Sequence, residues 1–393
     1  MKKVNYFIMT NIFFVFNILS FIDMFLLDLR VGLLSSILVA VVLMINYKYF
    51  NLLLKSRNFP FALYLIICVL SIAGYIVNGR PVELYFKAIS YNLLPSMLYV
   101  IGMIGAYKKI NILQSLVYSN SILLLLGLLI YFIAPEFYWE SFYAAGGSLL
   151  RFGSYIGSIQ VGNIAVASIP LILSKDSNVN NNLKTPMILI SIISIILSAQ
   201  RSAYINLVII IFAILFVNIK IIKNIFTIEK IKVFFLFLIG GKIIIEIFNN
   251  LISDTLKKYF LIRIIKIDDT MISARSGQWL IALDYFEKFP LGMGLGAGGD
   301  KASSIGMLLI PDGNYFRILV ELGILGIISF IGINMVAIFN KSANIYLKIA
   351  LFSYLTSAVG SNVFDLFYSS FMYWVLLGYM VNSQKLTKYS LPQ

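Results

Sequence analysis

"TPMILISIISIILSAQRSAYINLVIIIFAILFVNIKII", residues 185–222, decides how the whole chain is read. Nearly every residue in it is apolar, so it belongs in hydrocarbon or a large core. One helix of that length would reach about 55 Å at about 1.5 Å per residue. The hydrocarbon of a bilayer is only about 30 Å thick. The stretch therefore predicts two spans folded as a hairpin. The polar cluster SAQRS (198–202) marks the turn and puts Arg201 at its tip.

The rest of the chain follows the same pattern. Of its 393 residues 60% are hydrophobic and only 12% charged, against about 25% charged in a soluble domain. Apolar runs predict about twelve spans, at 5–24, 29–47, 59–78, 88–107, 111–134, 156–174, 185–200, 202–222, 231–250, 314–339, 344–361 and 364–382. The expected class is an all-α polytopic membrane protein, with residues 1–393 as a single integral membrane domain. Met1 to Asp23 starts with two lysines and an apolar run, as a signal peptide does. No small-residue cleavage pattern follows, so it is expected to stay as the first span. Cys68 is the only cysteine, which excludes an internal disulfide or a thiolate metal cluster.

Charge sets the expected orientation, because Lys and Arg are enriched in cytoplasmic loops. With the N-terminus inside, the inner side collects Lys2, Lys3, Lys48, Lys55, Arg57, Lys108, Lys109, Lys175, Lys184, Lys220, Lys223, Lys230, Lys232, Lys341, Lys348, Lys385 and Lys388. The short outer loops hold only Arg30, Arg80, Lys87, Arg151 and Arg201. Both termini are thus expected in the cytoplasm. The net charge of +14 is accounted for by topology and calls for no nucleic acid.

One hydrophilic stretch is long, residues 251–313, expected as an extracytoplasmic loop. It balances seven basic against seven acidic residues, a mixture that favours folding over disorder. Within it, about 273–288 reads as an amphipathic helix, with Trp279, Leu283 and Phe286 on one face at i, i+4, i+7. It is expected to rest on the membrane surface or on the bundle. A second outer segment, 135–155, is rich in aromatic residues and glycine, as an interfacial belt would be.

The chain has no histidine, so imidazole acid–base catalysis, Ser-His triads and imidazole metal sites are excluded. No cofactor or metal is expected. Seven of its eight arginines, Arg30, Arg80, Arg151, Arg201, Arg263, Arg275 and Arg317, fall on the expected outer side. Lysine suffices for topology, whereas a guanidinium forks onto phosphate or carboxylate with two parallel hydrogen bonds. Arg201 is the most pointed case, being the only charge between Lys184 and Lys220. Charges at membrane depth usually face the bundle interior or a polar cavity. Arg317 and Glu321 stand at i, i+4 near the outer end of a span, where a mutual salt bridge is the plain reading. Lys242 and Glu246 repeat that spacing and read as structural.

Four stretches occur in order: RFGSYIGSIQVGN (151–163), SAQRSAY (198–204), SARSGQWLIALDYFEKFPLGMGLGAG (273–298) and PDGNYFRILVELGILG (311–326). Together they resemble the bacterial O-antigen polymerases and their relatives, the O-antigen ligases. That family shows an Arg at a hairpin tip, then Arg plus Trp in a long outer loop. A P-x-G-x-G-x-G run, Asn-Tyr and Glu-x-Gly follow. The resemblance covers roughly 150–330; the first third matches only in topology.

The resemblance implies a glycosyltransferase-C-like membrane enzyme that uses no nucleotide sugar. It would work at the periplasmic face of the bacterial inner membrane on glycans linked to undecaprenyl pyrophosphate. The growing chain would pass from its carrier to the sugar of a fresh lipid-linked repeat unit. By motif, Arg201 and Arg275 would hold the pyrophosphate, with Arg151 as a third ligand. Arg317, Trp279, Asn314 and Tyr315 are further substrate-binding candidates. Where many relatives have histidine before Asn-Tyr, this chain has Asp312, the candidate to orient or deprotonate the acceptor hydroxyl; Glu321 is the runner-up. The implied partners are the lipid-linked oligosaccharides, membrane lipids, a chain-length regulator and a flippase. Two alternatives stand beside this expectation. An O-antigen ligase would transfer the glycan to lipid A core. A flippase or transporter for the same lipid would suit twelve spans, although it would usually show related halves with midplane helix breaks.

The run PLGMGLGAGGD (290–300) contains G-x-G-x-x-G but fails as a nucleotide cradle, since it follows an amphipathic helix on the outer face rather than a buried strand. It is expected instead to be a flexible connector that hinges beside the pyrophosphate site.

Overall fold

The hairpin predicted at 185–222 is present. In the computed structural model the first arm is a helix over Asn181–Ser198 and the second a helix over Arg201–Val217. Between them Ala199 turns the chain in the left-handed region (φ 49°, ψ 33°), a conformation that costs a non-glycine residue about 1 kcal/mol. Local bonds offset that cost. Gln200 Nε2 donates to Asn163 Oδ1 at 3.2 Å and to Ser202 Oγ at 2.8 Å. Tyr204 Oη reaches back to Ile196 O at 2.7 Å. Arg201 is thus the first residue of the second arm.

The structure describes residues 2–25, 31–77, 81, 83–84, 86, 89–144, 151–217, 269–299, 310, 313–361 and 363–384. Their longer helices are α1 Lys2–Phe25, α2 Val31–Ile45, α3 Phe59–Val77, α4 Leu94–Lys108, α5 Ile112–Ile133, α6 Pro135–Ala144 and α7 Ser158–Leu173. After α8 Asn181–Ser198 and α9 Arg201–Val217 come α10 Asp269–Lys288, α11 Asn314–Phe339, α12 Ile345–Gly360 and α13 Phe367–Asn382. Among the described residues there is no strand, and their regular structure is all helical. A helix occupies every predicted span except 231–250, which lies outside the described residues, as do 251–268 of the long loop.

Among the described residues, three helices can cross a bilayer alone by length and apolar composition: α5, α8 and α11. A fourth counts if Ile37–Ile45 and Tyr47–Leu54, bent by 81°, form one span. Others are apolar but short. At 16 residues, α13 reaches only about 24 Å. Its position gives the reason, for most of its side chains are buried inside the bundle and need not meet lipid. It lies against α4 so closely that a Cβ on Gly102 would strike Val375 O, and one on Gly378 would strike Tyr99 O. Small residues allow this kind of close helix approach in membranes.

The two ends of the bundle differ in which cation predominates. At one end Lys55 lies 5.4 Å from the Tyr107 ring centre, and Lys48 and Lys108 lie 5.3 and 5.4 Å from that of Tyr49. Gln114 ties the 174–180 loop to this end by donating to Asn178 O at 2.8 Å. Fully buried Asn58 closes it from inside. It accepts from Tyr99 Oη at 2.7 Å and from Asn382 Nδ2 at 3.0 Å, and donates to Leu52 O at 2.7 Å. The opposite end gathers the starts of α7, α9, α11 and α13, and with them the arginine-bearing segments.

Candidate functional site

Arg151 opens a loop that is pinned at successive residues. Phe152 N donates to Leu197 O at 3.0 Å, which fastens the loop to the last turn of α8. Gly153 N donates to Tyr138 Oη at 2.8 Å. Burial raises the pKa of that Tyr138 hydroxyl, so it stays protonated while it accepts. Ser154 Oγ then donates to Leu123 O at 2.9 Å. The result places half-buried Arg151 within electrostatic reach of Tyr204. Tyr204 stands three residues after half-buried Arg201, on neighbouring turns of α9. Two of the arginines singled out in the sequence therefore come to the same hairpin tip from separate parts of the chain.

 The loop and the hairpin converge from separate parts of the sequence, and Phe152–Leu197 is the bond that joins them.

The glycine run is not the flexible connector expected from sequence. Residues 293–299 are buried, and the run is a strap laid on a break in α11. At Gly323 the helix leaves helical geometry (φ 66°, ψ −164°), which frees backbone groups on either side. The strap satisfies them. Met293 N donates to Val320 O at 2.8 Å and Gly294 N to Glu321 O at 2.9 Å, while Ile324 N donates to Pro290 O at 3.1 Å. The glycines are needed for this close approach. A Cβ on Gly292 (φ 95°) would lie 2.5 Å from Glu321 O, and one on Gly323 would strike Pro290 O. Ser71 of α3 also holds the strap, accepting from Leu295 N at 3.2 Å.

Behind the strap lies the Arg317–Glu321 pair. Its side chains are only 4% and 1% exposed, with Nη1 and Oε1 3.8 Å apart. That is an ion-pair separation rather than a hydrogen bond. Glu321 Oε1 instead accepts from Gly298 N at 3.1 Å. Arg317 Nη1 donates to Asn92 Oδ1, in the turn before α4, also at 3.1 Å. The salt bridge expected at this spacing is therefore one edge of a larger buried network.

The amphipathic helix is α10, and its packing face differs from the expected one. Trp279 stacks on Phe316 with centroids 5.2 Å apart and an interplanar angle of 16°. Ala282 is fully buried, whereas Leu283 and Leu280 are exposed. The packing residues thus recur at i, i+3 rather than i, i+4, because the narrow start of α11 at Gly313 and Phe316 receives the indole. Leu283 falls on the outer side of the helix. Arg275 is in α10, one turn before Trp279; its side chain lies outside what the structure describes. Asp312 lies outside the described residues altogether, as do Arg30, Arg80, Arg263, Lys242 and Glu246. Asn314 is fully buried and accepts from Phe364 N at 3.1 Å. Tyr315 Oη donates to Leu355 O at 2.8 Å.

Sequence reasoning passed over Asn92, Ser71, Gln200 and Tyr204. Asn92 had one usable signal, as a polar residue near the start of a predicted apolar span, where a buried arginine on another helix needs an acceptor. No protein-family model matches the chain, and no curated protein matches it in sequence.

Proposed function

We propose that this chain is a membrane glycosyltransferase of the O-antigen polymerase kind, acting in the bacterial inner membrane with both termini in the cytoplasm. Its reaction lengthens a glycan carried on undecaprenyl pyrophosphate. The acceptor hydroxyl of a lipid-linked repeat unit attacks the anomeric carbon of the growing chain. The bond from that carbon to the pyrophosphate oxygen breaks, and the hydroxyl proton passes to Asp312. Arg151, Arg201 and Arg275 hold the departing lipid pyrophosphate and stabilise the negative charge that grows on it. Trp279, Asn314 and Tyr315 belong to the same end of the bundle and shape the acceptor side. A flippase supplies the substrate and a chain-length regulator acts on the product.

The observation that carries the reading is the meeting of Arg151 with the Arg201 hairpin tip, through the Phe152–Leu197 bond and the nearby Tyr204. Lysines predominate at the other end, where they suffice for topology, which favours a ligand-binding role for the guanidinium groups here. The test is the surface-glycan ladder made by Arg201→Ala and Arg275→Ala in a strain lacking the native gene, with expression checked. Each variant is expected to lower polymer at least about 100-fold, as loss of a transition-state charge partner does. Normal ladders from both would refute the assignment. The deletion strain itself separates polymerase from ligase. Single repeats on the core mark a lost polymerase, and a bare core marks a lost ligase.

A further inference from the structure

The same buried pair that sequence reasoning offered as a substrate-binding candidate, Arg317, and a runner-up base, Glu321, is enclosed by the protein groups its polar atoms face. Glu321 Oε1 faces the Gly298 amide at 3.1 Å. Arg317 Nη1 faces Asn92 Oδ1 at 3.1 Å. Tyr64 and Cys68 of α3 lie within electrostatic reach of both. A general base must reach the proton it removes, and a phosphate ligand must reach an oxygen. These two side chains, 1% and 4% exposed, reach protein groups instead. Those groups belong to three separate pieces of chain: the strap, the turn before α4, and α11 itself. Ser71, holding Leu295 N at 3.2 Å, adds α3 as a fourth.

We infer that Arg317 and Glu321 are a buried clamp that fixes the glycine strap on the broken turn of α11, and that Asn92 and Ser71 are positioning residues tying this clamp to the first third of the chain. The inference deepens the reading above, because it decides which outer-end residues touch substrate. Arg151, Arg201, Arg275 and Asp312 remain as the groups that meet the lipid-linked glycan. Glu321 and Arg317 set where the strap stands, and with it the end of α10 that the strap continues. The first third, which matches the family only in topology, thereby gains a defined part: it supplies the acceptors for the clamp.

A buried ion pair gives a sharp test. Removing one partner leaves the other as an unmatched buried charge, whereas replacing both with neutral groups of similar size is tolerated. Glu321→Gln keeps an oxygen for the Gly298 amide, and Arg317→Met keeps the volume. In detergent, each single variant is expected to lower the thermal midpoint of the purified chain by about 5–10 °C. The double variant should lie above both, short of wild type because Asn92 loses its donor, and should recover polymer that the single variants lose. Additive loss in the double variant would overturn the clamp. So would a double variant that folds but recovers no polymer, since that would give the pair a chemical task. Asn92→Leu is expected to cut polymer about tenfold, and Asn92→Asp, which keeps an oxygen facing Arg317, to restore it. An Asp variant no better than Leu would remove the positioning role of Asn92. Should the wild-type chain lengthen no lipid-linked glycan, the reading above falls, while the midpoints still decide the clamp.

Discussion

The two ends of the bundle solve the same problem differently. Each must close a set of apolar helices and satisfy the polar groups that the closure buries. The lysine end keeps its charges outside, over the rings of Tyr49 and Tyr107. Among the described residues, the fully buried polar groups there are neutral, with Asn58 joining Leu52, Tyr99 and Asn382. Left-handed turns occur at both ends, at Lys109 and Asn178 as at Ser154 and Ala199, but the arginine end also buries an ion pair and breaks a helix at Gly323. Each of those features costs free energy that a simple closure would avoid. A buried ion pair beside a broken helix at one end marks it as the end where shape serves something beyond stability.

The largest expected effect that separates the ends is at Gly323. An added Cβ would meet the Pro290 carbonyl, and the φ of 66° with ψ of −164° is closed to other residues. Gly323→Ala should destabilise by about 4 kcal/mol or more, read as a collapse of the thermal midpoint or loss of the monodisperse peak in detergent. Gly277→Ala in α10 is the matched control. Its Cβ would meet nothing within 4 Å, and alanine favours a helix by up to about 1 kcal/mol. Equal behaviour of the two variants would mean that the strap is not seated on the α11 break.

Asn58→Leu probes the lysine end and should cost somewhat less. It removes an acceptor from Tyr99 Oη and from Asn382 Nδ2, leaving both groups buried. The expected loss is about 2–3 kcal/mol. The Phe61–Tyr99 stack, with centroids 3.9 Å apart, persists because leucine removes no ring. A midpoint unchanged by Asn58→Leu would show that this end closes by apolar packing alone and would widen the contrast between the ends.

Much of this frame was legible in the sequence, for a physical reason. Apolar runs and a polar break at SAQRS report directly on what can enter hydrocarbon, so the hairpin and the boundaries of α11 fell where expected. Hydropathy carries no information on which helix is innermost, because a lipid-facing leucine and a core leucine read alike. The central place of α13 therefore emerged only from its contact with α4 at Gly102 and Gly378. The glycine run was misread for a related reason. Glycine permits both loose and extremely close backbone, and only the partner, here the freed groups around Gly323, distinguishes them. The face of α10 was misplaced because Leu283 and Ala282 differ by 100° of helix, and hydrophobicity alone favours the leucine. At the candidate site, Arg151 and Arg201 were legible as guanidinium groups on the side that the lysine bias leaves nearly free of cations. Their meeting was not, since it depends on Phe152 pairing with Leu197 far along the chain.

The smallest expected effect is at Lys108, and it tests whether the lysine end is as plain as it looks. Lys108 is exposed and lies 5.4 Å from the Tyr49 ring centre, with Lys48 at 5.3 Å on the same ring. Two cations that share one ring in water gain little from it, and each can replace the other. Lys108→Gln should therefore leave the thermal midpoint within about 2 °C of wild type. Its effect on orientation should be equally small, because Lys48, Lys55, Lys109, Lys175 and Lys184 remain to bias the same end. Thermal unfolding, together with labelling of single cysteines placed at each end in a Cys68→Ser background, reads both quantities. A drop as large as that of Asn58→Leu would make the lysines structural, and the arginine end would lose its claim to be the only one that relies on charge for its shape.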